Sequence, residues 1–274
     1  MKNLKLQKVL FYALLIFMTF IYLGPFLFSL SISFNAEQDV FSWPIKLLPD
    51  EWTLDNYRRV WSDLPFGQWL FNSVLITVIQ TITNVFFASL AGFAFARLDF
   101  PGKNILFALL LGSLMIPGIV LLVPKFIIFN ELNMINTYPG LMIPTLVTVV
   151  NIFLMKQFFE TIPKDLEEAA LIDGCSYFRI FWQIFLPVSK PALAAVAIYT
   201  FQGSWNEFMW PVIVTTTRDM FTLPVGMAFL KNEFSVQWPL LMAGTILISL
   251  PTLAIFAFFQ KYFVQGVASA GLKE

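Results

Sequence analysis

A chain of 274 residues would ordinarily form one or two soluble domains. Its composition excludes that class, since hydrophobic residues make up 58% and charged residues only 12%, whereas soluble domains carry roughly 25% charged residues. The 17 basic and 17 acidic residues balance, histidine is absent and cysteine occurs once, so neither a basic surface for nucleic acid, an intrachain disulfide nor a histidine-based catalytic or metal site is available. We expect an all-α integral membrane protein that is not an enzyme.

Six apolar stretches are long enough to cross a bilayer as helices, because a span needs roughly 20 residues. The first follows Lys2, Lys5 and Lys8. It is too long for the apolar part of a signal peptide and lacks a small-residue cleavage site, so we expect a retained anchor in a single transmembrane domain over 1–274. The predicted spans are about 9–34, 70–96, 105–124, 139–155, 192–214 and 239–263.

Lysine and arginine residues between the spans predict the orientation, since cytoplasmic loops carry an excess of both. With the N-terminus inside, 11 of the 17 lie in cytoplasmic segments and 6 lie outside. Both termini and the segment 160–191 are therefore expected in the cytoplasm. The residues placed outside are Lys46, Arg58, Arg59, Lys125, Arg218 and Lys231.

Residues 35–69 form the longest external segment. Thr53 is a suitable N-cap for a short surface helix there. The segment is either a solvated connector or a surface that docks an external protein.

Polar side chains within the spans are candidates for a solute pathway, because an ionisable group at membrane depth marks a functional site by default. Glu207 is such a group, although it could instead lie near the outer end of its helix beside interfacial tryptophans. The neutral residues could instead form interhelical hydrogen bonds. The candidate pathway residues are Asn206, Glu207, Gln202, Asn151, Gln80 and Asn84.

The charged segment 160–191 predicts two helices joined at a glycine. Pro163 suits the first turn of a helix, Gly174 suits its C-terminal stop, and Ser176 can cap a second helix. On residues alone, the segment could also lie on the lipid surface as an amphipathic hairpin. The expected apolar faces are Ile162, Leu166, Ala169 and Ala170 on the first helix, and Phe178, Phe181, Trp182 and Phe185 on the second.

The spacing of several residues in this segment matches a known sequence pattern. Glu168-Ala169-Ala170, three residues, Gly174, nine residues, Ile184, one residue and Leu186-Pro187 reproduce the pattern EAA-x3-G-x9-I-x-LP. The chain thereby resembles permease subunits of binding-protein-dependent ABC importers, in which this pattern is a cytoplasmic loop. Further stretches resemble the carbohydrate branch and its maltose-type second permease. They are residues 52–57, 72–73, 94–102, 115–117, 136–141, 205–208 and 265–267.

The resemblance implies a non-catalytic subunit that forms half of the translocation pathway of an ATP-driven sugar or oligosaccharide importer. Its first loop helix would be a coupling helix seated on a cytoplasmic ATPase, to which Glu168 would offer a carboxylate. The residues implied in this coupling are Glu167, Glu168, Ala169, Ala170, Asp173, Gly174, Ile184, Leu186 and Pro187.

The same resemblance implies the partners and the location. They are a second homologous permease, two ATP-binding cassette subunits and an extracytoplasmic solute-binding protein, in the lipid of a bacterial or archaeal cytoplasmic membrane. ATP and Mg would bind to the ATPase and no cofactor to this chain, which contains no GxxxxGK[ST] phosphate loop.

Three alternatives stand beside this interpretation. The first is a permease of the same kind for a non-sugar or anionic solute such as glycerol phosphate. The second is a proton-coupled carrier, which should contain several intramembrane ionisable groups and internal repeats. The third is a membrane hydrolase, for which no nucleophile and base can be assembled without histidine.

Overall fold

The computed structural model describes residues 2–36, 48–233 and 237–271, with side chains described over 7–36, 48–230 and 237–258. Every regular element within these ranges is helical, which confirms the predicted all-α class. Three helices exceed 30 residues: α1 (Lys2–Ile32), α3 (Phe66–Arg97) and α14 (Trp238–Gly271). At about 1.5 Å per residue, each is longer than the roughly 30 Å hydrocarbon core.

The remaining helices are shorter. In chain order they are α2 (Asp55–Ser62), α4 (Lys103–Ser113), α5 (Leu122–Glu131), α6 (Tyr138–Met142), α7 (Val149–Glu160), α8 (Lys164–Ile172), α9 (Tyr177–Ile180), α10 (Leu186–Val188), α11 (Lys190–Trp205), α12 (Met209–Val214) and α13 (Leu223–Glu233).

Within the described ranges, four helical stretches are long and apolar enough to cross a membrane, and two bent helix pairs raise the number to six if each pair is one span. The predicted number of about six agrees with this upper count. The four stretches are Gln7–Ile32, Phe66–Arg97, Tyr138–Glu160 and Trp238–Phe258.

Two predicted spans are interrupted in the structure. The third, predicted over 105–124, is interrupted by a bend of 92° between Lys103–Ser113 and Gly118–Glu131. Pro117 lies at this break and has no N–H with which to continue the helix. The fifth, predicted over 192–214, ends at Trp205, and α12 begins only at Met209 after a break at 206–208.

The chain forms two compact units, Met1–Gly67 with Gly226–Leu250, and Gln68–Val225 with Pro251–Glu274. In the first unit, α2 is fixed to the end of α1, because the buried Asn56 amide donates to the carbonyls of Ser33 and Asn35. Leu54 rather than Thr53 occupies the N-cap of α2, but the Thr53 hydroxyl still accepts the Asp55 N–H at 3.1 Å. Part of the predicted external segment, residues 37–47, lies outside the described ranges.

The second unit contains the core that positions the candidate site. Phe93 of α3, Phe159 of α7 and Phe185 form an aromatic cluster with ring centroids 4.9–6.1 Å apart. Ala170 of α8 and Val196 of α11 are buried in the same cluster. Five segments therefore meet in one apolar core, to which the loop 160–191 contributes Ala170 and Phe185.

Candidate functional site

The predicted helix–glycine–helix unit is confirmed. After α8, the N–H groups of Gly174 and Cys175 donate to the carbonyls of Leu171 and Ala170 at 3.0 and 2.9 Å. Gly174 has φ of +78°, so this is a Schellman stop in which glycine avoids the steric cost of a left-handed backbone. Pro163 lies at the N-cap of α8 rather than in its first turn.

The second loop helix extends through α9, a π-helical turn at Phe181–Phe185 and α10. Ser176 caps it as predicted, its hydroxyl accepting the Arg179 N–H. Pro187 cannot donate to the turn before it, and the i→i+5 bonds of the π turn accommodate that missing donor.

The predicted apolar faces are only partly correct. Ile162 and Ala170 are buried, but Leu166 and Ala169 are exposed, because the buried position between them is taken by Glu167. On the second helix Phe181 and Phe185 are buried, whereas Phe178 and Trp182 are exposed. The π turn changes the helical register between them.

Glu167 faces the interior because a cation lies there. Its Oε2 is 3.7 Å from Nη1 of Arg97, the last residue of α3, and the two side chains are only 11% and 4% exposed. This ion pair was missed by sequence reasoning. The signal was present as an arginine at the end of an apolar span, but nothing local identified its partner.

The other predicted coupling residues separate into two groups. Ile184 and Leu186 are partly buried and pack against the aromatic core together with buried Ala170. Glu168, Ala169, Asp173, Gly174 and Pro187 are exposed. Ile172 adds an apolar side chain that is 87% exposed. One face of α8 and its glycine stop is thus open, and the opposite face is anchored.

Two adjacent cavities lie in the second unit. The larger, the Trp210 cavity, has a volume of about 270 Å³ and is lined by residues that include Thr77, Lys125, Trp210 and Thr222. The smaller, the Asn151 cavity, has about 190 Å³ and is lined by Thr148, Asn151, Tyr199 and Thr200 among others. Both are lined by Gln80, Thr145, Ser204 and Glu207.

Gln80 and Glu207 are the predicted pathway residues that both cavities share. The Gln80 amide makes only long contacts, 3.4 and 3.5 Å, with the carbonyls of Leu141 and Met142. Glu207 is exposed, and its Oε1 accepts the backbone N–H of Trp210 at 3.1 Å. It lies in the break between α11 and α12, a type of interruption that lines solute sites in transporters.

Asn84 and Asn151 instead form an interhelical network. The Asn84 carbonyl oxygen accepts the Asn151 amide at 2.9 Å and the Thr148 N–H at 2.9 Å. The Asn84 amide donates to the carbonyls of Gln80 and Thr145. Asn151 also donates to the Thr200 hydroxyl at 2.8 Å. These bonds join α3, α7 and α11.

Gln202 and Asn206 are exposed and lie outside both cavities, with the Asn206 amide turned back to the Gln202 carbonyl at 2.8 Å. Lys125 lines the Trp210 cavity, where its Nζ is 5.2 Å from the Trp210 ring centroid. Sequence reasoning placed Lys125 in an external loop and did not include it as a pathway residue.

The chain is similar to known proteins of one family. Residues 84–269 match the family model described as "Binding-protein-dependent transport system inner membrane component". The chain is 36% identical to the arabinooligosaccharides transport system permease protein AraQ of Halalkalibacterium halodurans, over 94% of this chain and 93% of that protein.

Two further relatives are of similar closeness. The trehalose/maltose transport system permease protein MalG of Thermococcus litoralis is 34% identical, over 100% of this chain and 99% of that one. The sn-glycerol-3-phosphate transport system permease protein UgpE of Yersinia enterocolitica is also 34% identical, over 89% and 91%.

A solved structure shares the fold. It is a chain of a bacterial ABC transporter involved in the import of the acidic polysaccharide alginate, with a TM-score of 0.84, 22% identity, and coverage of 94% of this chain and 97% of that one.

Proposed function

The chain belongs to the family of binding-protein-dependent transport system inner membrane components, and from that premise we propose that it is the permease subunit of an ATP-driven importer of sugars or oligosaccharides. The observation that carries this proposal is α8, which is anchored on one face to the aromatic core and open on the other. Such a helix can receive a force from outside the membrane and pass it to the spans.

The partners follow from this assignment. Two ATPase subunits bind ATP and Mg, and one of them seats the open face of α8 through Glu168, Ala169 and Asp173. A second homologous permease completes the translocation pathway, and an extracytoplasmic binding protein delivers the solute. Both termini and the loop 160–191 lie in the cytoplasm, and the complex lies in the lipid of the cytoplasmic membrane.

The movement is a rigid-body transition. When the ATPase dimer closes, it displaces α8, and the spans packed on the same core rock between inward-facing and outward-facing arrangements. The cavities at the α11–α12 break change their access in the process. Glu207 and Gln80 line both cavities, which supports a role for both side chains in contacting solute.

A neutral sugar fits the polar groups of these cavities. Hydroxyl, amide and carboxylate groups of Thr77, Gln80, Ser204 and Glu207 can exchange hydrogen bonds with sugar hydroxyls. The exposed Tyr199 ring offers an apolar face in the smaller cavity. Sugars present both kinds of surface.

An anionic solute is the second candidate, and Lys125 favours it. The ammonium group of Lys125 lines the larger cavity, and the glycerol-phosphate permease UgpE is as similar to this chain as MalG is. Uptake assays with neutral oligosaccharides and glycerol 3-phosphate, each presented with its binding protein, discriminate the two. Uptake of the anion alone, abolished by Lys125→Met, contradicts the sugar assignment.

Co-purification and reconstitution test the proposal as a whole. A tagged chain expressed with its genomic neighbours should retain an ATPase and a second permease, and the complex in vesicles should accumulate solute only with ATP and a binding protein. Accumulation by this chain alone, driven by a proton gradient, would contradict the proposal in favour of a secondary carrier.

A further inference from the structure

Arg97 is a buried charged residue that the transport mechanism above does not use. Its Nη2 donates to the carbonyl of Phe159 at 2.6 Å and also to that of Ile162. Its Nη1 faces the Glu167 carboxylate at 3.7 Å. The guanidinium carbon is 5.1 Å from the centroid of the Phe185 ring.

These contacts join four segments at one point. Arg97 ends α3, Phe159 and Ile162 lie at and just beyond the end of α7, Glu167 lies in the first turn of α8, and Phe185 ends the π turn of the second loop helix. The carbonyls lie at and just beyond a helix C-terminus, whose partial negative charge attracts a cation. Glu167 lies near a helix N-terminus, where an anion is favoured.

Stability alone does not explain this arrangement. The aromatic core already holds the same segments together, and a buried ion pair can often be replaced by apolar side chains without loss of stability. Apolar contacts are non-directional. A guanidinium that binds a carboxylate and two carbonyls fixes both distance and orientation.

We propose that Arg97 is a positioning residue that locks the coupling helix α8 to the adjacent ends of α3 and α7, so that a displacement of α8 moves these spans with it. The inference rests on the proposed function. It adds the contact through which a displacement of α8 by the ATPase is transmitted to α3 and α7. It also reassigns Glu167, which holds α8 to the spans, so that Glu168, Ala169 and Asp173 are left to contact the ATPase.

The double substitution Arg97→Met/Glu167→Leu tests this lock, because it removes both charges and leaves neither one unpaired. In the complete reconstituted transporter, basal ATP hydrolysis and the melting temperature should stay at wild-type values. The stimulation of hydrolysis by binding protein, and uptake, should each fall about tenfold, within the range of measured coupling effects. A purely structural role would lower the melting temperature and leave the ratio of stimulated to basal hydrolysis unchanged.

A neighbouring ion pair provides the matched control. Lys103 and Asp99 are 3.6 Å apart, but the Asp99 carboxylate is fully exposed, so Lys103→Met/Asp99→Leu should leave stimulation and uptake unchanged. Wild-type stimulation in Arg97→Met/Glu167→Leu, or loss of the ATPase subunits from that complex, would overturn the proposal.

A second variant covers the case in which the double variant does not fold. Glu167→Gln keeps the size of the side chain and the Arg97 bonds to the carbonyls, and it should still lower the stimulated-to-basal ratio. An unchanged ratio overturns the lock. Absence of ATP-driven uptake in the unsubstituted complex would instead contradict the proposed function itself.

Discussion

Two polar residues of the second unit, Asn84 and Glu207, use their side chains in different ways. Asn84 is fully buried, and both ends of its amide bind neighbouring helices. Glu207 is exposed to both cavities and binds one backbone N–H. Substitutions at the two positions should therefore separate stability from transport.

Asn84→Leu should destabilise the fold. Interhelical hydrogen bonds in membranes average about 0.6 kcal/mol each, and this change also removes the acceptor of the Thr148 N–H and of one of the two Asn151 amide bonds. We expect a loss of about 2 kcal/mol, measured by thermal unfolding of the purified complex. Gln202→Leu, at an exposed position, is the control and should unfold as the wild type. Equal stability of both variants would show that the network is not structural.

Glu207→Gln should change transport and spare the fold. The amide oxygen of glutamine can still accept the Trp210 N–H, but the charge is lost. Because a hydrogen bond to a charged group exceeds a neutral one by about 1 kcal/mol, the KM for uptake should change about fivefold. The measurement is initial uptake over a panel of oligosaccharides. Wild-type uptake of the whole panel would show that Glu207 does not contact solute and lies only at the membrane–water interface.

At the scale of elements, the helix–glycine–helix unit could be predicted because its signals are local. Ser176, Gly174 and Leu186-Pro187 act within a few residues of their own positions. The Arg97–Glu167 pair could not be predicted, because it forms only when α3 and α8 meet. The inward turn of Glu167 and the exposure of Leu166 follow from that long-range partner.

The interruptions of the third and fifth spans had weaker sequence signals than the helix–glycine–helix unit. Prolines near both breaks were visible, but hydropathy averaged over about 20 residues does not distinguish a bent pair from a straight span. For the same reason Lys125 was assigned to a loop. The structure instead places it on the wall of a cavity.

Gly92 allows α3 and α7 to pack in close contact. A Cβ built there would lie 2.7 Å from Met155 Cβ and 2.9 Å from the Lys156 nitrogen. Gly92→Ala should therefore destabilise the protein by about 1–3 kcal/mol. Gly112→Ala, in α4 where nothing lies within 4 Å, should be neutral or stabilise by up to about 1 kcal/mol. Thermal unfolding of both variants checks this. A stabilised Gly92→Ala protein would mean that the two helices are not in close contact.

At the scale of the whole molecule, the single cysteine reports the orientation. Cys175 lies at the turn between α8 and α9 and is partly exposed. A membrane-impermeant maleimide should label it in inside-out vesicles and not in right-side-out vesicles. The control is Cys175→Ser/Ser62→Cys, which moves the thiol to exposed α2 and should reverse the pattern. Labelling of Cys175 only from outside would show that the topology is the reverse of the proposed one.

The fold and the family make this chain a membrane component of a transport system, and its central mechanistic claim is that α8 transmits ATP-driven motion. ATP-driven uptake by reconstituted vesicles carrying Glu168→Lys or Gly174→Trp tests this most directly. We expect both variants to insert and fold with the spans intact, yet to lose uptake, because one reverses the exposed charge and the other blocks the left-handed turn at φ +78°. Uptake at the wild-type rate in both would contradict the coupling role of α8.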